Sequence, residues 1–361
     1  MGKQGANISA FPGKQDVLKD EITKPSQDKN FNFHLYQGRS NLTLTLYLPH
    51  SHPILALRQN PSMSLSTAQP STKRADSFTA PGQRTFGCWQ LLDLLGEGRW
   101  SQVFRARPLR SLGDSAADYA IKILRPDGDS LGAVMMQHEV YVAYHVSHPN
   151  LCPILSAHVD APPFYFVMPL LPGQTVKRLL NTKVSLPPSI ALWTVRQVAE
   201  AMLELHNKRW IHGDTKPENI IVGPNGHATL TDLGFCRSFD RNHNLSQKQF
   251  CGTIAYAAPE TLTTALNATP QSDIYSLGIV LFEMLTGESP FRNVPDHNLV
   301  VAHLQKKPSD VRSKKPFLSN RISELLTHML AKDPLRRPTA EELVPWLMDL
   351  EIDLIDERTV A

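Results

Sequence analysis

Cysteine is scarce in this sequence: four residues in 361, Cys88, Cys152, Cys236 and Cys251, with no Cys-x-x-Cys pair among them. That scatter excludes a thiolate zinc cluster and a disulfide framework, and it points to reduced thiols in a cytoplasmic protein. Long apolar runs are lacking too. The longest candidate, Ile274 to Leu285, is broken by Ser276, Gly278 and Glu283, so no membrane span is expected. The first residues hold no apolar signal-peptide core, and Ala6 stands where an acylated Met-Gly start needs Ser or Thr. Neither sign of charge dominates. A formal net charge of +3 is too small to argue for nucleic acid or an anionic membrane as partner. What is present is 41% apolar residues, enough for a substantial core. The length suits two or three ordinary domains, or one two-lobed domain with tails.

Residues 1–83 are rich in Ser, Pro, Gln, Asn and Thr and read as a mostly disordered extension and linker. The exception is Leu42 to Leu48, whose strict Leu/Thr alternation predicts a strand. Ordered sequence begins near Phe86, and the stretch from Cys88 to Leu95 leads into Gly96-Glu97-Gly98-Arg99-Trp100-Ser101, a glycine-rich turn between two strands. Glycine lets a backbone approach phosphate oxygens with no Cβ in the way. Taken alone such a turn is commonplace, and a strand follows where a dinucleotide fingerprint needs a helix. Tyr119 to Leu124 is a further strand, and Lys122 within it needs either water or a partner. Ala133 to Val146 reads as a helix carrying Glu139, and Phe164 to Met168 as a buried strand. Ser189 to His206 places Ala191, Val195, Val198, Met202 and Leu205 on one helical face.

The chemistry concentrates in His212-Gly213-Asp214-Thr215-Lys216-Pro217-Glu218-Asn219 and Thr231-Asp232-Leu233-Gly234. Two short strands joined by the Gly223–Gly226 turn separate them, so Asp214, Asn219 and Asp232 should form one fixed cluster. Asp232 and Asn219 offer hard oxygen ligands suited to Mg²⁺, which takes few protein ligands. Asp214 can accept or orient the proton of an attacking hydroxyl, and Lys216 puts a cation beside it. Singly, each acid reads as a solvated turn residue; the spacing of the two runs argues otherwise.

These runs resemble the catalytic and metal-binding loops of eukaryotic-type serine/threonine protein kinases, with Gly213 in place of Arg and Leu233 in place of Phe. The resemblance extends over about residues 86 to 347. It implies an α+β, bilobal fold, with a small β-rich N-lobe that includes one helix and a larger helical C-lobe. The kinase domain would then span 84–347, with a short tail at 348–361.

By the same resemblance the enzyme transfers the γ-phosphoryl group of ATP to Ser/Thr hydroxyls of a protein substrate, with Mg²⁺, or Mn²⁺ as an alternative ion. Lys122 would hold the α- and β-phosphates and pair with Glu139, which precedes His148-Pro149-Asn150. Asp214 and Lys216 would act at the hydroxyl, while Asn219 and Asp232 would hold metal. Leu95, Gly96, Gly98, Val103, Ala120, Met168, Pro169, Leu171, Ile221 and Thr231 would line the nucleotide pocket. Met168 would be the gatekeeper, the Pro169 carbonyl and Leu171 N–H facing adenine.

The segment from Phe235 to Ala257, closed by Ala258-Pro259-Glu260, resembles the activation segment, in which Cys251-Gly252-Thr253 faces the substrate. Asp273 would brace the catalytic loop, from a helix capped by Ser272 and ended by Gly287. Arg337 would form a buried ion pair with Glu260. Glu218 sits where some kinases read a basic residue. The resemblance implies no nucleic-acid partner and leaves oligomeric state open. The alternative from another class is a pseudokinase that binds nucleotide or partners without transfer, and a small-molecule kinase is a third.

Overall fold

The computed structural model describes residues 34–37, 42–45, 84–110, 119–126, 130–182, 185–239, 252–263 and 268–360. The disorder expected over most of 1–83, and Cys251, fall outside them. Of the alternating stretch, Leu42–Thr45 form a strand, and residues 46–48 fall outside the described residues. β1 (His34–Gln37) and β2 (Leu42–Thr45) pair antiparallel, Leu35 opposite Leu44.

The N-lobe is built on β3 (Arg84–Phe86), β4 (Trp89–Glu97), β5 (Ser101–Pro108) and β6 (Tyr119–Leu124), followed by helix α1 (Ser130–His145), β7 (Ser156–His158) and β8 (Tyr165–Pro169). The six strands form one antiparallel sheet in the order β3-β4-β5-β6-β8-β7. The β4–β5 register shifts between Leu91 and Leu94 and again between Leu94 and Gly96. Such irregularities bend a strand and re-aim the segment beyond it, here the glycine-rich turn. Met136 and Val140 of α1 pack on Phe166 of β8, burying one helix face against the sheet. The helix starts at Ser130, earlier than the apolar pattern from Ala133 suggested.

β9 (Gln174–Thr175) and α2 (Val176–Thr182) lead to the C-lobe. Its elements are α3 (Pro188–Asn207), β10 (Trp210–Ile211), β11 (Ile220–Val222), β12 (Ala228–Leu230), β13 (Arg237–Ser238), α4 (Pro259–Thr263), α5 (Pro270–Thr286), α6 (Leu299–Gln305), α7 (Asn320–Met329) and α8 (Ala340–Val360). The buried Leu192, Val195, Val198 and Met202 of α3 meet the buried stretch Leu277 to Leu281 of α5 in one continuous core. Full burial of a Leu or Val contributes about 1.5–3 kcal/mol, so this pair of helices is the rigid base of the lobe. The hairpin expected between the two chemical runs is present, with Ile220 opposite Leu230 and Val222 opposite Ala228.

Two boundaries differ from the sequence reading. Helix α5 begins four residues before Ile274, with Thr269 as N-cap; Ser272 lies inside the first turn, its Oγ accepting from the Thr269 N–H at 3.0 Å. Gly287 ends it at φ 84°, a left-handed position that glycine tolerates. The tail after Leu347 is helical, because Leu347 and Leu350 are buried and Glu351 accepts from Arg196 Nε at 2.9 Å, docking α8 on α3.

Candidate active site

Strand β6 carries Lys122, opposite Phe166 of β8 and Val103 of β5. Its ammonium turns inward to two carboxylates from different elements. Nζ lies 2.7 Å from Glu139 Oε2 on α1 and 3.0 Å from Asp232 Oδ1. Burial opposes the ammonium, but Asp232 and Glu139 more than offset it and hold Lys122 above the ordinary lysine range. Burial also opposes the Asp232 carboxylate; Lys122 reverses the sign and keeps that acid below its usual value. Glu139 goes the other way, pushed up to about 7 by burial despite Lys122. Asp232 stands at φ 67°, a left-handed conformation that Asp tolerates better than most residues.

The loop that starts at His212 is held by Asp273, in the first turn of α5. Its Oδ2 accepts from the His212 N–H at 2.8 Å and its Oδ1 from the Gly213 N–H at 2.9 Å, while His206 Nε2 lies 2.9 Å from Oδ2. Burial would raise this acid; the His206 contact, His212 and the Gly213 N–H bring it below the usual range instead. His212 is fully buried, its Nε2 3.1 Å from the Thr231 carbonyl. Only a donor suits a carbonyl, so Nδ1 is the acceptor, matching the Asp214 N–H that approaches it at 3.3 Å. One imidazole thus ties the two chemical runs together.

Asp214 is buried and both of its oxygens are engaged. Oδ1 accepts from the N–H and the hydroxyl of Thr253, each at 2.9 Å. Oδ2 accepts from Lys216 Nζ at 2.5 Å and from Asn219 Nδ2 at 3.3 Å. Lys216 also donates to Thr253 Oγ1 at 3.0 Å, closing a ring of three side chains. Burial works against the Lys216 charge, yet Asp214 more than compensates and keeps it protonated above the usual lysine value. Asn219 Nδ2 donates to the Asp214 carbonyl at 2.8 Å, which fixes the amide and leaves its oxygen for another ligand.

Between the lobes lies a cleft of about 780 Å³, within the size range of small-molecule sites. Of the residues expected there, Gly96, Gly98, Val103, Lys122, Glu139, Met168, Asp214, Lys216, Asn219, Thr231 and Asp232 line it. Leu95, Ala120, Pro169, Leu171 and Ile221 are not among its lining residues. Leu95 is half exposed beside Gly96, and Ala120 is buried opposite Met168. Pro169 ends β8, Leu171 comes two residues later, and Ile221 pairs with Thr229.

The far end of the activation segment is anchored by Glu260, which takes a two-pronged contact from Arg337 at 2.7 and 2.8 Å. Glu218 lies 3.8 Å from Lys177 of α2. Three contributors escaped the sequence reading: the grip of Thr253 on Asp214, the contact of His206 with Asp273, and Trp100. His206 alone left a signal, as a polar residue ending an otherwise core-facing helix.

A β-rich lobe over a helical lobe, with a lysine, a helix glutamate and an Asp/Asn/Asp cluster meeting in the cleft, defines a phosphotransfer scaffold. A profile described as protein kinase domain matches residues 89–347. The chain belongs to the protein kinase family. It is 31% identical over 265 residues to the serine/threonine-protein kinase PrkC of Bacillus subtilis (strain 168), covering 73% of this chain and 40% of that one. It is 31% identical over 257 residues to the serine/threonine-protein kinase PknD of Mycobacterium tuberculosis, covering 70% and 38%. With CBL-interacting protein kinase 12 of Oryza sativa subsp. japonica it shares 30% over 268 residues, 73% and 48%. The chain thus spans less than half the length of these relatives. No helix among the described residues is long and apolar enough to cross a membrane.

Proposed function

We propose that this chain is an ATP-dependent serine/threonine protein kinase of the cytoplasm. The observation that carries this reading is the paired closure of the cleft: Lys122 on Glu139 and Asp232, and Asp214 on Lys216 and Thr253. Phosphoryl transfer spreads negative charge over oxygen atoms, so a protein accelerates it mainly by positioning and neutralising charge. Lys122 supplies a fixed cation from the upper lobe for the α- and β-phosphates. Asp214, its oxygens pre-aimed by Thr253 and Asn219, orients the substrate hydroxyl and takes its proton. Lys216 stays charged beside it for the migrating phosphoryl group.

Asp232 and the oxygen of Asn219 fit Mg²⁺, since both are hard donors on opposite sides of one hairpin. Among the described residues no cluster of three His, Cys, Asp or Glu could hold a metal. Bound there, the ion would neutralise phosphate charge as a Lewis acid. The Pro169 carbonyl and the Leu171 N–H, which do not line the cleft themselves but follow its lining Met168 in the chain, are the proposed adenine contacts.

The test is transfer of labelled phosphate from ATP to a generic basic protein, with Asp214→Ala as control. Asp232→Asn should keep the fold and much nucleotide binding while abolishing transfer. Undiminished phosphorylation by that variant refutes its role.

Gly213 makes this a catalytic loop without the arginine that would collect an activation-segment phosphate. Its φ is +79°, and a Cβ there would stand 2.8 Å from the Phe235 carbonyl oxygen. The segment has other ties: β13 pairs with β10, and Thr253 binds Asp214. Turnover should therefore survive phosphatase treatment; loss of nearly all activity on dephosphorylation would count against it.

A further inference from the structure

Trp100, at the tip of the glycine-rich turn, has no part in the proposed phosphoryl transfer, yet it meets α1, the ring of Phe235 and the end of β6. Its Cβ and Cγ lie 2.8 and 3.0 Å from the point where a side chain on Gly132 of α1 would begin. Its ring centroid is 6.3 Å from that of Phe235, the residue after Gly234. Its carbonyl accepts from the Arg125 N–H at 2.8 Å, beyond the end of β6, and the Arg99 guanidinium covers the ring at 5.0 Å. Among the described residues the buried indole N–H has no hydrogen-bond partner, so the ring is held by contacts to its faces and edges.

Gly132 completes the reasoning. Glycine inside a helix is unfavourable relative to alanine, so its presence in α1 needs a cause. Here the space for a methyl group is already taken by Trp100 and by Leu124 Cδ1, 2.9 Å away. Residues 132, 136 and 139 succeed one another at helical spacing on one face; all three are buried, and Glu139 is the last of them. Lower down the same helix the loop after Asp232 closes in, a Cβ on Gly234 falling 3.5 Å from Glu139 Oε2 and 3.7 Å from the Met135 carbonyl oxygen.

We propose that Trp100 is a positioning residue that seats the first turn of α1 through Gly132 and thereby keeps Glu139 against Lys122. The cover of the nucleotide cleft and the helix that completes its ion pair then move as one body. What that pair is for rests on the kinase reading; the mechanical coupling does not.

The full chain is compared with Trp100→Ala, Trp100→Phe, Gly132→Ala and the double variant Trp100→Ala/Gly132→Ala. Amide hydrogen exchange across residues 130–145 is measured alongside phosphoryl transfer. Trp100→Ala should speed exchange in α1 and lower kcat/KM for ATP about tenfold, a coupling of the size expected between touching residues. Trp100→Phe should restore most of both. Gly132→Ala should reproduce the loss while Trp100 is present and do less harm once the indole is gone, when only the Cβ at position 100 and the movable Leu124 Cδ1 still crowd the site. Equal harm from Gly132→Ala in both backgrounds overturns the inference, as does unchanged α1 exchange in Trp100→Ala. Because exchange reads without turnover, a wild-type protein that transfers no phosphate but shows the expected exchange cycle sinks the kinase reading and upholds the coupling.

Discussion

Arg337 is the group whose removal should cost most. Its side chain is fully buried, and its five N–H donors all have acceptors. Nε donates to the Ala331 carbonyl at 2.7 Å, and the two Nη atoms reach Glu260 at 2.7 and 2.8 Å. The Nη atoms also reach the Gln271 and Lys332 carbonyls at 3.0 and 3.1 Å. Arg337→Met keeps the bulk and removes every donor. Glu260 then retains only the Ser272 hydroxyl, 2.6 Å from Oε1, for a buried charge. Breaking such a pair from one side costs about 3–5 kcal/mol, a large share of the roughly 5–15 kcal/mol by which a domain is stable. The paired variant Arg337→Met/Glu260→Leu leaves no stranded charge, and apolar replacement of a buried pair is often neutral. It should recover most of the loss. Urea unfolding of the two single variants and the double variant measures this directly, with the slope m confirming the same transition. A cost below about 1 kcal/mol for Arg337→Met at unchanged m would falsify the claim that this pair anchors the activation segment.

Two further outcomes are expected. Thr253→Val removes the hydroxyl that joins Lys216 to Asp214 but keeps the backbone N–H on Oδ1, so kcat should fall by about 10- to 100-fold, toward the lower end of the effect of a misplaced base. Thr253→Ser should stay near wild type, and a fully active Thr253→Val would show that Asp214 needs no such alignment.

His303, buried against the Tyr275 hydroxyl and Phe291 and close to Lys332, is brought down to about 3, first by burial and then by Lys332. Above pH 6.5 neither folded nor unfolded chain protonates it. As pH falls below that value the unfolded chain takes a proton that the folded one refuses, so stability should drop by up to about 1.4 kcal/mol per pH unit until near pH 3. Urea midpoints at pH 7 and pH 5, compared with those of His303→Gln, check this; equal pH dependence in the variant would refute it.

The chemical cluster could be read from the chain because each role admits few residue types, and the hairpin from Ile220 to Leu230 is signalled by two short runs joined by a Gly/Pro/Asn turn. Partners far apart in sequence were less visible. Thr253 reaches Asp214 across 39 positions, and nothing local in Gly252-Thr253 says which acid it will meet. The last helix was hidden by composition: acidic residues mask a face on which Leu343, Leu347 and Leu350 recur at helical spacing and are buried. The start of α5 was misplaced because Pro270 and Gln271 carry no apolar signal, although Pro fits a helix's first turn.

What the fold adds to the motif is a balance of charge. Lys122 faces two carboxylates at 2.7 and 3.0 Å, so the three groups together carry one negative charge if both acids ionise. A single ammonium reaches both but cannot neutralise both, and the two acids respond in opposite directions: Lys122 holds Asp232 below its usual value, while burial pushes Glu139 up to about 7. Glu139 reaches the pair only through α1, a helix with one face on the sheet and one glycine under Trp100. Asp232 is fixed by a hairpin rooted in the C-lobe core. The position of α1 therefore sets how closely Glu139 meets Lys122, while Asp232 approaches the ammonium from the loop beyond β12. A shift of this helix alters the partners of Lys122, whereas the ties of Asp214 to Lys216, Asn219 and Thr253 involve no residue of α1.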